Sequence, residues 1–278
     1  MSVPVEAAVA TFQGYPPSDA ERVRARLQAL QDVEVEVKPY RVDVAAFRRY
    51  VERARYPRSY RQNFGDLFVE KALEHFVSIE LLGFDTKDRF IDIASCSSPF
   101  PEIVESFYGI PNYRQDLSFP EGVVGKQVGG SAEKLPFPDG SFSKMTLHCS
   151  LEHFEGDADR NFIEEAARAL KPGGAVCVIP LYVTETFHNL TDPGENRTGL
   201  FFDDGAAVAE VRGWRNRFGR NYDPERLAER VLRPASRHFT TTIHVIENEK
   251  EADPVCYVKF ALVLRRKRPG LLGRLGFS

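Results

Sequence analysis

The chain is poor in the residues from which covalent or metal frameworks are built. Its 278 residues include four cysteines, two methionines and one tryptophan. Cys96, Cys149, Cys177 and Cys256 form no CxxC pair, and three of them lie in or beside apolar segments. They therefore read as small, reduced core residues and not as a disulfide framework, and a reducing, cytoplasmic compartment is the expectation. His188 and His238 belong to no repeated His/Asp/Glu spacing, so no metal site is expected. No uninterrupted apolar run approaches the roughly 20 residues a membrane helix needs, so no stable membrane insertion is expected. The opening MSVPVEAAVATFQGYPP lacks the basic region and apolar core of a secretory signal. An excess of positive charge is missing too: 37 Lys and Arg against 40 Asp and Glu leave −3. That balance argues against an affinity built on neutralising many phosphates, and so against a nucleic-acid partner.

What is present is an alternation of helical and strand-like segments. Ser18-Asp19 precede AERVRARLQAL, an N-capped amphipathic helix with Val23, Leu27 and Leu30 on one face. VEVEVK (33–38) alternates as a half-buried strand does, and VAAFRRYVERA (44–54) returns to helical spacing. Residues 1–62 thus read as an N-terminal αβ appendage or lid. A domain over 63–268 follows, and a basic, partly apolar tail over 269–278 closes the chain. Within the domain, FGDLFVEKALEHFVSIELLGF is helical and stops at Gly83, and RFIDIAS (89–95) is a buried strand. Ser98-Pro99 open a helix over PFPEIVESFYG. YRQDL (113–117), VVGKQVGG (123–130), FSKMTLHCS (142–150) and AVCVIPLYV (175–183) read as four more strands, with the amphipathic helix RNFIEEAARAL before the last. FTTTIHVIEN and CYVKFALVLRR, near the end, suit an antiparallel edge pair. The pattern predicts an α/β fold with a doubly wound, mostly parallel sheet. An irregular stretch, about 184–238, is rich in Gly, Arg and aromatics and reads as a substrate cap; Arg212, Arg215, Arg217 and Arg220 around Trp214 could recognise a sugar, phosphate or carboxylate.

In such a sheet ligands bind beyond the carboxyl ends of the strands, where strand order reverses. The loop after the first buried strand reads Asp92-Ile93-Ala94-Ser95-Cys96-Ser97-Ser98-Pro99. Its small side chains let a ligand approach the backbone, and the helix behind it offers free amides. Asp116, at the end of the next strand, is placed to accept hydrogen bonds from both hydroxyls of a ribose.

From Gly130 to Gly174 the signal is more specific. GSAEKLPFPDGSFSKMTLHCSLEHF, an amphipathic helix, ALKPGG and an apolar strand together resemble class I S-adenosylmethionine-dependent methyltransferases. The similarity is greatest to the type 11-like subgroup, with its G-D-A-x-x-L-P-F-x-D-x-S-F-D segment and R-x-L-K-P-G-G turn. It covers roughly residues 65–183 and implies a seven-stranded Rossmann-like sheet with S-adenosylmethionine as cofactor. Position by position, it implies that Asp92 and Ala94, Ser95, Cys96 and Ser97 hold the methionine end. Asp116 and Leu117 would meet the ribose and one adenine face; Ser131, Ala132 and Glu133 would flank the adenine; and His148, Cys149, Ser150 and Leu151 would border the methyl group. The chain departs from the family's D-x-G-x-G-x-G loop at all three glycines, replaced by Ala94, Cys96 and Ser98, and Ser131 and Ser143 stand where an Asp is usual. A nicotinamide enzyme is disfavoured, because Cys96 and Ser98 would crowd a pyrophosphate.

The resemblance implies transfer of a methyl group to a small-molecule or glycan acceptor, with oxygen the expected site. The protein mainly supplies alignment, and for an alcohol also a general base. His153 is the first candidate for that base, Glu152 the second and His148 the third. Tyr60 and Phe64 could fold over the cofactor or pack in the core. The lost glycines leave open an alternative, a degenerate relative that serves as a binding or scaffold protein.

Overall fold

The computed structural model describes residues 11–13 and 18–268; the 269–278 tail lies outside the described residues. The elements, in chain order, are β1 (Thr11–Gln13), α1 (Ala20–Gln28), β2 (Val35–Tyr40), α2 (Val44–Ala54), α3 (Arg58–Phe64), α4 (Phe68–Leu82), β3 (Phe90–Ile93), α5 (Phe100–Tyr108), β4 (Asn112–Val124), β5 (Gln127–Gly129), β6 (Phe142–His148), α6 (Ala158–Ala169), β7 (Leu170–Ile179), β8 (His188–Thr191), β9 (Ala207–Glu210), β10 (Gly219–Asn221), a helical segment over 224–236, β11 (Phe239–Ile246) and β12 (Phe260–Arg266).

Local chemistry sets many of these boundaries. Asp19 caps α1 through the amides of Glu21 and Arg22, and Asp43 caps α2 through that of Ala46. Gly83 and Gly109 end α4 and α5 in the left-handed conformation that glycine adopts without strain. In the Lys171–Gly174 turn, a Cβ on Gly174 would stand 2.9 Å from two carbonyl oxygens, those of Lys171 and Ser143. Only glycine lets that turn press against the start of β6.

The main sheet has strand order β2-β11-β12-β7-β6-β3-β4-β5. Every adjacent pair is parallel except the two that β12 makes, with β11 and β7. The mostly parallel, doubly wound sheet expected from the sequence is therefore present, with its antiparallel pair. An eighth strand extends it: β2 pairs in parallel with β11, so the antiparallel pair is not the outermost element. The strand expected over 123–130 is divided, its first two residues ending β4 and residues 127–129 forming β5. A second, four-stranded sheet, β1-β9-β8-β10, is built largely from the segment read as irregular.

Alternate side chains of the central strands feed two cores. Ile91, Ile93, Val176 and Val178 pack with Val23, Phe162, Ile163, Leu227 and Val231 on one face. Phe90, Ala175, Cys177 and Ile179 pack with Phe47, Leu73, Phe76, Phe100 and Val104 on the other. Burying each large aliphatic or aromatic side chain stabilises the fold by about 1.5–3 kcal/mol. The chain winds one way through β3, β4 and β5 and the other way through β6 and β7, so strand order reverses between β3 and β6. Their carboxyl ends open side by side, where a ligand site is expected.

Candidate active site

A cavity of about 900 Å³ occupies that position. Its floor is the Ala94–Ser98 loop after β3 and the His148–His153 segment after β6; α3 and α4 supply Tyr60, Phe64, Lys71, Glu74 and His75 to its wall. Tyr182, Trp214, Asn216, Asn221 and Tyr257 enclose the remaining side.

The loop after β3 is tied down by backbone and carboxylate together. The Ala94 amide donates to Gln115 Oε1 at 3.0 Å and the Ser95 amide to the Gln115 carbonyl at 2.8 Å. Asp92 is buried and accepts from Thr146 Oγ1 at 2.6 Å and Ser95 Oγ at 2.7 Å, which locks β3 to β6 and to the loop. Ala94 and Cys96, at two of the positions where the related loops carry glycine, have φ of 50° and 45°. The glycine-type backbone survives without the glycines, at about 1–2 kcal/mol for each L-residue held there. Cys149, across the cavity, is a third non-glycine residue in this region, at φ 48°.

Asp116 does not line the cavity. Its Oδ2 accepts from the Cys96 amide at 2.8 Å, and its Oδ1 accepts from the amide and hydroxyl of Ser118 at 2.9 and 2.7 Å. Each oxygen has further lone-pair capacity, and the carboxylate sits at the loop's outer margin beside the exposed Leu117. Ser131 donates to Glu133 at 2.8 Å, Glu133 accepts from Asn161 at 2.7 Å, and Ala132 is buried.

Of the three candidate bases, His148 has both ring nitrogens engaged, Nδ1 at 3.3 Å from Asp92 and Nε2 at 3.0 Å from Ser78 Oγ. His153 donates from Nδ1 to the Phe218 carbonyl at 2.7 Å, which leaves Nε2 as the basic nitrogen, 3.7 Å from Glu152 Oε1. Trp214 lies against the His153 ring at a centroid distance of 5.5 Å. A Cβ on Gly219 would stand 2.5 Å from the indole, so that glycine makes room for Trp214. Burial pushes the Glu152 carboxyl above its ordinary range, His153 offsetting part of the effect, and its Oε2 has no hydrogen-bond partner.

The sequence did not point to the polar cluster on the α4 side. Lys71 Nζ donates to Glu74 Oε1 and Cys149 Sγ, both at 2.8 Å, and to Tyr257 Oη at 3.1 Å. Burial works against the Lys71 ammonium, but Glu74 and Cys149 beside it outweigh that and hold its pKa above the usual value. Burial, reinforced by Glu74, pushes the Cys149 thiol well up, the Lys71 ammonium offsetting part of the effect, and its Sγ lies 3.4 Å from both Glu74 carboxylate oxygens. The signal for these residues was a Lys71–Glu74 pair three apart on a helix whose polar residues are nearly all buried.

The cap arginines stand elsewhere. Arg217 forms a two-pronged pair with Glu155 at 2.7 and 2.8 Å. Arg220, fully buried, meets Asp203 at 2.7 Å and Asp159 at 3.1 Å. Arg212 and Arg215 are exposed, and none of the four lines the cavity. Among the described residues no group of His, Cys, Asp and Glu could hold a metal ion.

Part of this chain is similar to known proteins. Residues 65–178 match the family described as "Methyltransferase domain". Over that stretch the chain is similar to methyltransferase domains. An uncharacterized methyltransferase of Schizosaccharomyces pombe is 33% identical over 92 residues, 31% of this chain and 32% of the relative. The chain thus matches about a third of the length of that curated relative. Among solved structures, 1,6-didemethyltoxoflavin-N1-methyltransferase of Burkholderia thailandensis is similar over 82% of this chain and 92% of its own, at 15% identity and TM-score 0.46. A putative methyltransferase solved with the Haloferax volcanii Trm112 methyltransferase activator is similar over 76% and 95%, at 13% identity and TM-score 0.48.

Proposed function

We propose that this chain transfers the methyl group of S-adenosylmethionine to an oxygen of a small-molecule or glycan acceptor bound in the cavity. The observation that carries the reading is the left-handed backbone at Ala94 and Cys96, which keeps the loop after β3 shallow and open to the same cavity that His153 faces. Bound there, the cofactor would supply an electrophilic methyl carbon. Ala94, Ser95, Cys96 and Ser97 would hold its methionine end, with Asp92 fixing the loop from beneath. Asp116 and Leu117 would meet the ribose side, Ser131, Ala132 and Glu133 the adenine, and Cys149 would border the methyl.

The acceptor would lie between Trp214, Asn216, Asn221 and Tyr182, a lining of aromatic faces and neutral hydrogen-bonding groups. His153 Nε2 would take the hydroxyl proton of the acceptor, and Glu152 Oε1 is placed to face the imidazolium that would result. The Phe218 carbonyl keeps the ring in the tautomer this role requires.

The test is binding, read independently of turnover. S-adenosylmethionine or S-adenosylhomocysteine at about 100 times Kd should add about 2.7 kcal/mol of stability in a thermal shift. Either ligand should also slow alkylation of the exposed Cys96 thiol, which opens into the same cavity. A flat shift with unprotected Cys96 would favour the degenerate scaffold, a reading supported by Asp116 being already engaged by Cys96 and Ser118.

A further inference from the structure

The molecule as a whole is slightly acidic, yet one short run is not. Residues 48–61 contain six arginines and one carboxylate, Glu52. Arg48, Arg49 and Arg53 project from the outer side of α2, whose inner side buries Phe47, Tyr50 and Ala54. Arg55 follows in a left-handed conformation, and Arg58 and Arg61 lie on α3. All six are exposed, and among the described residues none makes an ion pair, whereas Arg22, Arg26, Arg114, Arg168, Arg217 and Arg226 each meet a carboxylate. Unneutralised guanidinium groups at this density repel one another, and an external polyanion relieves that repulsion.

Two neighbouring features bear on which polyanion fits. A cleft of about 370 Å³ within this face is lined by Arg53, Arg55, Arg114, Ser97, Ser98 and Glu102. It is large enough for a phosphate group and shares Ser97 and Ser98 with the main cavity. Beyond α3, Leu67 is 45% exposed and, with the partly exposed Phe64, forms an apolar lip of that cavity. Arginines beside an exposed apolar lip suit a lipid surface. Single-stranded nucleic acid would need exposed aromatic platforms. Here the interleaved Tyr50, Tyr56 and Tyr60 all point inward and are buried.

We propose that the outer face of α2 and α3 docks on an anionic phospholipid bilayer, with a lipid phosphate beside the unpaired Arg53 and Arg55 at the edge of that cleft and the cavity mouth facing the membrane. The surface binds peripherally, and the inference does not depend on the methyl-transfer reading. The full chain is sedimented with phosphatidylcholine vesicles, with and without phosphatidylglycerol, at rising salt. Binding is expected only with phosphatidylglycerol and should weaken as salt rises. The triple variant Arg48→Glu, Arg49→Glu, Arg58→Glu should lose more than about fivefold per arginine, and so more than roughly a hundredfold in all. Glutamine at the same three positions should give a smaller loss in the same direction, which guards against misfolding of the reversed variant. Arg233→Glu with Arg237→Glu, two exposed residues on the opposite face of the main sheet, should bind as the parent does. The proposal fails if phosphatidylglycerol adds nothing, if the triple variant binds unchanged, or if the distant pair loses as much. It fails equally if single-stranded oligonucleotide binds while vesicles do not.

Discussion

At the scale of single residues, the cavity is a place where side chains are asked to hold unusual states. His153 is the clearest case, since a backbone carbonyl fixes one nitrogen and leaves the other to face the ligand space. Its replacement by alanine should cost about 10²–10⁴-fold in turnover with little change in cofactor affinity. Single-turnover kinetics beside calorimetry would check both halves of that statement. Glu70 offers a test that needs no substrate. It is fully buried, its Oε1 has no partner, and its Oε2 accepts from the Tyr257 amide at 2.9 Å. Burial, with Glu74 nearby, pushes its carboxyl up to about 8. A carboxyl whose folded pKa exceeds its unfolded one binds more protons when folded, so stability falls as pH rises from about 4.5 to about 8. Glu70→Gln should flatten that decline and match or exceed the parent above pH 8, as melting temperatures across the range would show.

At the scale of elements, the two left-handed loop residues can be probed against the strand they follow. Cys96→Gly relieves strain but adds freedom to the unfolded chain, so stability should move by less than about 1 kcal/mol. Cys96→Val, β-branched in the same conformation, should lower both melting temperature and cofactor affinity. On the opposite wall, Gly219→Ala would push a methyl group into Trp214. Acceptor KM should rise while cofactor affinity holds.

Legibility in the sequence also divides by element. β3, β6 and the second half of β7 were readable because they are short, almost wholly buried runs between clear turn signals, even though Asp92, Lys144 and Thr146 interrupt the apolar residues of the first two. The loop after β3 was readable as a bend, since its small residues and Ser98-Pro99 leave few alternatives. β8, β9 and β10 were not: they are three or four residues long, and HNLT and GRN are polar strands buried by tertiary contacts. Two of the cap arginines, Arg217 and Arg220, were unreadable for a related reason. Their partners, Glu155, Asp159 and Asp203, lie far off in sequence, so nothing local marked them as already paired.

For the whole molecule, the join between the two sheets is electrostatic at its centre. Arg220 donates to the carbonyls of Phe154 and Gly156 at 2.7 and 2.9 Å, and Asp159 also accepts from Tyr222 at 2.7 Å. Burial alone would raise the Asp203 carboxyl, but its hydrogen bonds and charge contact with Arg220 hold it below the ordinary value. Arg220→Met would leave the buried Asp203 without its main cation, while Asp159 keeps Arg230 at 2.7 Å, and should destabilise by about 3–5 kcal/mol, measurable by urea unfolding. The segment after β6 should loosen first, because the same guanidinium pins it.

The cavity's enclosure carries a consequence for how such a protein diversifies. The recognisable stretch, 65–178, contributes the floor, while Tyr60, Tyr182, Trp214, Asn216, Asn221 and Tyr257 are recruited from sequence outside it. On the methyl-transfer reading proposed above, the outer segments can change, and with them the choice of guest, while the floor stays untouched. Grafting residues 180–238 from one such protein onto another's floor should move acceptor preference with the graft.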